Sequence, residues 1–195
     1  MTVYCATGNP GKLREFRLAA EQAGIQVETA PGLAALAPCE ETGATFEANA
    51  ILKAEYYGRT APGLLFADDS GLEVDALGGA PGVYSARFAG PDATDAANNQ
   101  LLLEKLRGVP GRCARFVCVI ALADGARLLR TFRGTVEGEI LEEPRGPHGF
   151  GYDPLFYYPP FGCSFGEAAP ERKLTVSHRG AALRALFAYL SGGCI

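Results

Sequence analysis

The stretch Leu64 to Gly90, LLFADDSGLEVDALGGAPGVYSARFAG, constrains this chain more than any other. Its apolar opening, Leu64 to Ala67, predicts a buried strand. Turn-forming residues follow at once and place Asp68, Asp69 and Ser70 at the strand's carboxyl end, where open α/β sheets bind ligands. Two adjacent carboxylates on a desolvated strand end repel each other, so keeping both ionised calls for a cation. Mg²⁺ suits the position, because it prefers hard oxygen ligands and shares them with substrate phosphates. Taken alone, Asp-Asp-Ser-Gly is equally readable as a polar turn held by local hydrogen bonds.

Composition narrows the class. A chain of 195 residues can bury one good core with a second small lobe, and needs no disulfide or metal to fold. Hydrophobic content of 48% and charged content of 21% suit a soluble globular protein, and no apolar run reaches membrane-spanning length. Met1 leads directly into the strand-like TVYCAT with no basic region and apolar core after it, so a cytoplasmic location is expected. The six cysteines, at 5, 39, 113, 118, 163 and 194, show no zinc spacing and read as reduced, small hydrophobes. A net charge of −4 without any basic block argues against a nucleic-acid backbone as partner. Any bound anion must therefore be held locally.

Several stretches offer such local sites. Residues 2 to 7 predict a strand, Thr7-Gly8-Asn9-Pro10-Gly11-Lys12 a turn, and Leu13, Phe16, Ala20 and Ala23 the apolar row of a helix. The helix N-terminus and Lys12 suit a phosphate, although the pattern is no Walker motif and equally fits a plain connection. Ile25 to Thr29 predicts a second strand, and residues 30 to 43 a loop carrying Glu40 and Glu41. A helix from about Thr45 to Arg59 would turn Phe46, Ala50, Ala54 and Tyr57 inward and place Asn49 and Lys53 on one face. Lys53 is as readily a solvated lysine as a group approaching Asp69.

Ala93 to Arg107 predicts a helix with Leu102, Leu103 and Leu106 as its stripe, and the runs 115 to 123 and 127 to 136 a hairpin around Asp124-Gly125. The chain is expected to be a single domain over 1–195, with the second lobe formed by about 110–160. Pro144 to Pro160, PRGPHGFGYDPLFYYPP, is too rich in Gly, Pro and aromatics for ordinary secondary structure. Such a loop either holds a flat ligand, with Phe150, Tyr152 and Asp153 as candidates, or forms an aromatic mini-core. The segment KLTVSHR, 173 to 179, leads into a last helix with Ser177 as N-cap and Leu183, Leu186, Phe187 and Leu190 as its buried stripe. His178 and Arg179 then oppose the helix dipole at about 0.3–1 kcal/mol each if charged, which an anionic or polar ligand would offset.

Three cationic sites, a carboxylate cluster and an aromatic loop together amount to a nucleoside triphosphate site. TGNPGK at 7–12, ETGATFEANAILKA at 41–54, FADDSGLEVDALGGAPGVYSARFAG at 66–90, GFGYDPLF at 149–156 and SHR at 177–179 closely resemble the inosine triphosphate pyrophosphatases, also called dITP/XTP pyrophosphatases. The resemblance covers essentially the whole chain. It implies an α/β protein with a long central mixed sheet flanked by helices, two lobes with a nucleotide cleft between them, and a homodimer. It further implies Mg²⁺-dependent cleavage of a deaminated purine triphosphate (ITP, dITP or XTP) to monophosphate and pyrophosphate. By residue, it assigns Thr7, Gly8, Asn9, Lys12 and Lys53 to the triphosphate and Ser70 to a substrate contact. Asp69 becomes the general base, and Glu40 joins Asp69 on the metal, chosen over Glu41 by register with Gly43. Phe150, Gly151, Tyr152, Asp153, Lys173, His178 and Arg179 are assigned to the base.

The residue types support that chemistry: Mg²⁺ polarises the α-phosphorus and a bound water, while lysines and a helix N-terminus stabilise the departing pyrophosphate. Arg179 only donates hydrogen bonds, which favours a purine 6-carbonyl over the adenine amino group. A non-catalytic nucleotide sensor and a phosphatase releasing orthophosphate are the alternatives, separated by product analysis.

Overall fold

The computed structural model describes residues 1–192 of the 195-residue chain, so Cys194 lies outside the described residues. Seven strands form one mixed sheet, ordered β2-β1-β3-β4-β5-β6-β7. The chain divides into two compact units. The first comprises Met1–Asp69, Cys118–Gly134 and the chain from His178 onward; the second comprises Ser70–Val117 and Thr135–Ser177.

The first unit opens with β1 (Thr2–Cys5), α1 (Pro10–Ala23) and β2 (Gln26–Thr29), with β2 parallel to β1 from Thr2↔Gln26 to Cys5↔Thr29. Alternation along β1 sends Val3 and Cys5 into the core. Helix α1 starts where Asn9 Oδ1 accepts the Lys12 N–H at 3.0 Å with Pro10 in the first turn, and stops at Gly24, whose φ is 66°. Its buried face is Glu15, Phe16, Ala19 and Ala20, while Ala23, expected in the apolar row, is exposed. Phe16 meets Phe66 edge-on at 5.0 Å. Burying each such ring stabilises the fold by about 1.5–3 kcal/mol.

Helix α2 (Phe46–Gly58) is capped by Thr45, whose hydroxyl accepts the Ala48 N–H at 3.1 Å. Phe46, Ala50 and Ala54 recur every four residues and are buried; Tyr57 is half-buried, and its hydroxyl accepts the Cys39 N–H at 2.9 Å. The same helix buries Asn49 and Lys53, one turn apart.

β3 (Leu65–Val74) corrects the expectation that its strand ends at Ala67. Asp68, Asp69 and Ser70 lie within a ten-residue strand rather than in a turn after it. The polar residues do not end the strand, because each carboxylate there has its own cation, described below. β4 (Cys113–Asp124) and β5 (Arg127–Ile140) are longer than the predicted runs and are joined at Gly125, φ 57°. Like β3, each contributes residues to both units.

In the second unit, Leu72, Leu106, Phe116, Leu155, Phe156 and Phe165 belong to one apolar cluster, in which Phe116 and Phe156 lie 4.5 Å apart. α3 (Asp95–Lys105) is capped by Thr94 and buries Leu102, with Leu106 just beyond its end. The loop expected over 144–160 contains a short strand, β6 (Phe156–Tyr158), antiparallel to β5 and to β7 (Cys163–Ser164). Phe156 sits in the core there, so its backbone pairs despite the Pro and Gly around it. α4 (Pro170–Val176) takes in Lys173, and α5 (His178–Leu190), back in the first unit, follows after Ser177.

α5 packs against α1 and passes over β5 at Gly134, where an added Cβ would strike the His178 carbonyl and approach Ala182 N to 2.8 Å. Backbone atoms cannot move aside as a flexible side chain can. Gly134→Ala is therefore expected to lose about 1–3 kcal/mol of stability by overpacking. Urea unfolding checks this, and an unchanged midpoint contradicts the close approach.

Candidate active site

Successive side chains of a strand point to opposite faces. Asp68 and Asp69 therefore part company, and each meets its own lysine. The Lys12 ammonium lies 3.1 Å from Asp68 Oδ1 and 3.0 Å from Oδ2, whereas Lys53 Nζ lies 2.9 Å from Asp69 Oδ1.

Asp68 stands in a buried ion network. Arg179 Nε approaches its Oδ2 at 3.5 Å, and Arg179 Nη1 donates to Glu15 Oε2 at 2.6 Å. The Cys118 thiol lies 3.9 Å from the same Oδ2. Burial and then the neighbouring Asp68 push that thiol up to about 12, so it stays neutral. Burial by itself would raise the Asp68 carboxyl, but Lys12, Arg179 and Lys53 outweigh it and hold the group well below the usual carboxylate range. Glu15 and Asp68 likewise overcome burial at Arg179 and raise it.

Asp69 is less heavily neutralised. Its burial dominates and raises the carboxyl, with Lys53 opposing only in part. Asn49 Nδ2 donates to Asp69 Oδ2 at 3.3 Å, and Asn49 Oδ1 accepts the Gly43 N–H at 2.8 Å. That link needs glycine at 43, since a Cβ there would lie 2.7 Å from both Ala48 Cβ and Asn49 Oδ1. Through it the loop before α2 is tied down, and Glu41 Oε1 is brought to 3.1 Å from Lys53 Nζ.

One cation, Lys53, is thus shared by two hard-oxygen donors, Asp69 and Glu41. Burial opposes the charge on Lys53, yet Asp69, Asp68 and Glu41 together raise its pKa. Two carboxylates facing one positive charge fit Mg²⁺, which commonly takes one or two protein carboxylates and completes its shell with water and phosphate. No cluster of three or more His, Cys, Asp or Glu arranged for a metal is found among the described residues. Glu40, chosen by register, is exposed, and its neighbour Glu41 is the residue held at Lys53.

Other expected residues fall into place by unit. Thr7, Gly8 and Asn9 form the turn before α1, with Thr7 Oγ1 accepting the Asn9 N–H at 3.2 Å. Ser70 is half-buried in β3. His178 and Arg179 are buried at the start of α5, and the Arg179 guanidinium, expected at the base, lies against Glu15 and Asp68.

In the second unit Lys173 Nζ donates to Asp153 Oδ2 at 2.6 Å, both residues being buried, and that oxygen also accepts the Phe150 N–H at 2.9 Å. The ammonium lies 5.0 Å from the Phe150 ring centroid. Phe150 itself is half-buried. Tyr152 instead joins the apolar cluster and donates its hydroxyl proton to the Ser85 carbonyl at 2.9 Å. The aromatic loop is accordingly part core and part accessible ring.

Sequence reasoning missed Glu15 and weighed Glu41 only as the alternative to Glu40. A carboxylate beside Phe16 on the buried face of α1 was the available signal, but its partner Arg179 is 164 residues away.

The Ham1 family model matches residues 3–189. The chain belongs to the Ham1 family. A protein named dITP/XTP pyrophosphatase from Acidobacterium capsulatum is 50% identical over 201 aligned residues, covering 98% of this chain and 99% of the relative. One of the same name from Thermus thermophilus is 52% identical, covering 98% and 93%. Among solved structures, a HAM1 protein from Coxiella burnetii superimposes with a TM-score of 0.87 at 40% identity, covering 99% of this chain and all of that one. The Staphylococcus aureus Ham1 protein gives 0.86 at 42% identity, covering 98% and 99%. No helix among the described residues of this Ham1-family chain is long and apolar enough to cross a membrane.

Removing Glu15 would leave the buried Arg179 with one close carboxylate fewer. Glu15→Ala is expected to lose about 3 kcal/mol, the lower end for a broken buried pair because Asp68 remains. Chemical denaturation measures it, and a loss no larger than that of an exposed pair would show that Arg179 does not depend on Glu15.

Proposed function

We propose that this chain hydrolyses deaminated purine nucleoside triphosphates, ITP, dITP or XTP, to the monophosphate and pyrophosphate. The observation that carries the reading is the division of labour on β3: Asp68 is held between Lys12 and Arg179, while Asp69 shares the single cation Lys53 with Glu41. Relatives about half identical over nearly their whole length bear the name dITP/XTP pyrophosphatase, which supports the substrate class.

In this reading Asp69 accepts a proton from water as the water oxygen attacks the α-phosphorus. The bond from that phosphorus to the bridging oxygen breaks, and the electron pair leaves with pyrophosphate. Lys12, Lys53 and the backbone N–H groups of the Thr7–Lys12 turn meet the phosphate charge, since catalysis of phosphoryl transfer is largely positioning and electrostatics. Asp69 together with Glu40 or Glu41 would hold Mg²⁺, which would supply Lewis acidity and additional charge neutralisation. Asn49 keeps Asp69 oriented.

Base recognition is assigned to Phe150, Gly151, Tyr152, Asp153 and Lys173, with Phe150 as the stacking face and Tyr152 as its support. Ser70 is kept as a substrate contact. His178 and Arg179 are assigned selection of the 6-carbonyl, which requires the Arg179 guanidinium to leave Glu15 or Asp68 for the base. A homodimer and a cytoplasmic role in clearing the nucleotide pool complete the proposal.

A product assay with Mg²⁺ on ITP, XTP, dITP, GTP and ATP, resolving pyrophosphate from orthophosphate, tests it. Pyrophosphate from the deaminated nucleotides with little from ATP is expected, and omission of Mg²⁺ should abolish it. Orthophosphate as the first product would support a phosphatase, and tight ITP binding without product would support a sensor.

A further inference from the structure

Gly151 turns the chain between Phe150 and Tyr152 with φ +61°, a left-handed conformation that favours glycine. Gly149, on the other side of Phe150, has φ +79°. An aromatic ring carried between two glycines would be poorly fixed by its own backbone, because glycine has the most conformational freedom to lose.

The structure supplies that fixation from α3. The Gly151 N–H donates to Asp95 Oδ2 at 2.7 Å, and Asn99 Nδ2 donates to the Gly151 carbonyl at 3.0 Å. Asp95 and Asn99 stand four residues apart, hence on one face of the helix. Both polar groups of a single glycine are thereby taken by one rigid element. The neighbouring Asn98 faces another segment, accepting the Ala89 N–H at 2.8 Å and donating to the Ala86 carbonyl at 3.2 Å. That segment includes Ser85, whose carbonyl receives the Tyr152 hydroxyl. Phe150 is consequently bracketed by Asp153 on its own N–H, the α3 pair on the next residue and Ser85 through the one after.

We propose that Asp95 and Asn99 are positioning residues for base recognition: they clamp Gly151 and so hold the Phe150 ring in its stacking orientation. The inference rests on the assignment of Phe150 to the purine ring. Neither residue touches the phosphates or the reacting water, so the clamp acts on binding. A platform ordered in advance spares the ordering entropy on association, and this appears in KM rather than kcat.

The test is a double-mutant cycle on the full chain, with KM and kcat for ITP and a thermal midpoint for each variant. Phe150→Ala is expected to raise KM by about 5- to 150-fold, the range for losing a base–aromatic stack. Asn99→Ala and Asp95→Ala are each expected to raise KM by about fivefold, near the worth of one hydrogen bond, with kcat held within about twofold. In the Phe150→Ala background, Asn99→Ala should add nothing, because its effect passes through the ring.

Near-isosteric variants keep the test decisive if an alanine variant fails to fold. Asp95→Asn retains an acceptor and should give a KM within about twofold of the parent, while Asn99→Asp removes the donor and should keep the defect. Effects that multiply in the double variant, or a fall in kcat with KM unchanged, overturn the clamp. Unaltered KM in Phe150→Ala overturns the assignment of the ring. A raised KM there, with parental KM in both Asp95→Ala and Asn99→Ala, overturns the clamp alone.

Discussion

The structure depends on how one buried carboxylate, Asp68, is kept ionised. A charge removed from water is tolerated only when paired and hydrogen-bonded, and Asp68 receives Lys12 from α1 and Arg179 from α5 while lying in the middle of β3. Those contacts tie the first helix and the last to the central strand. Glu15 then balances the second cation on Arg179, so four charges from three elements hold one another in place. The adjacent Asp69 inherits a rigid backbone without inheriting the full neutralisation. Fixing one carboxylate by ion pairs leaves its neighbour positioned but comparatively basic, which is what a proton acceptor requires.

A related economy is visible in the second unit. There the side chains of Asp95, Asn99 and Asp153 satisfy the backbone of a glycine-rich loop, and the Ser85 carbonyl accepts the hydroxyl of the loop's Tyr152. A loop of that composition, left to itself, would populate many conformations. Hydrogen bonds from a helix give it one. The accessible ring of Phe150 and the buried ring of Tyr152 are two consequences of the same anchoring, and they explain why neither a pure ligand loop nor a pure aromatic core describes residues 144–160.

Much of this was legible in the sequence, because periodicity and turn chemistry are local. The turn at Thr7 to Lys12 before a helix, the helix from about Thr45 and the i, i+4 pair Asn49 and Lys53 each showed within a few residues. The end of β3 was misread because Asp-Asp-Ser-Gly carries turn chemistry, while the cations that let it continue as strand come from residues 12 and 53. Of the two adjacent glutamates, register with Gly43 favoured Glu40 for a metal; the Asn49 link to that glycine brings Glu41 to Lys53 and leaves Glu40 exposed. The pairing of Glu15 with Arg179 was beyond any local signal. Their pairing depends on α5 packing against α1, a fact of topology rather than of pattern.

The central claim is that the two neighbouring carboxylates have separate duties. It is tested most directly by measuring unfolding free energy and single-turnover hydrolysis of ITP on Asp68→Asn and Asp69→Asn side by side. Asp69→Asn should lose about three orders of magnitude or more in turnover while keeping most of its stability, since it removes the proposed proton acceptor. Asp68→Asn should lose about 3 kcal/mol or more of stability, since it leaves Lys12 and Arg179 without their shared carboxylate. Near-normal turnover in Asp69→Asn, or equal destabilisation by both substitutions, would contradict the division.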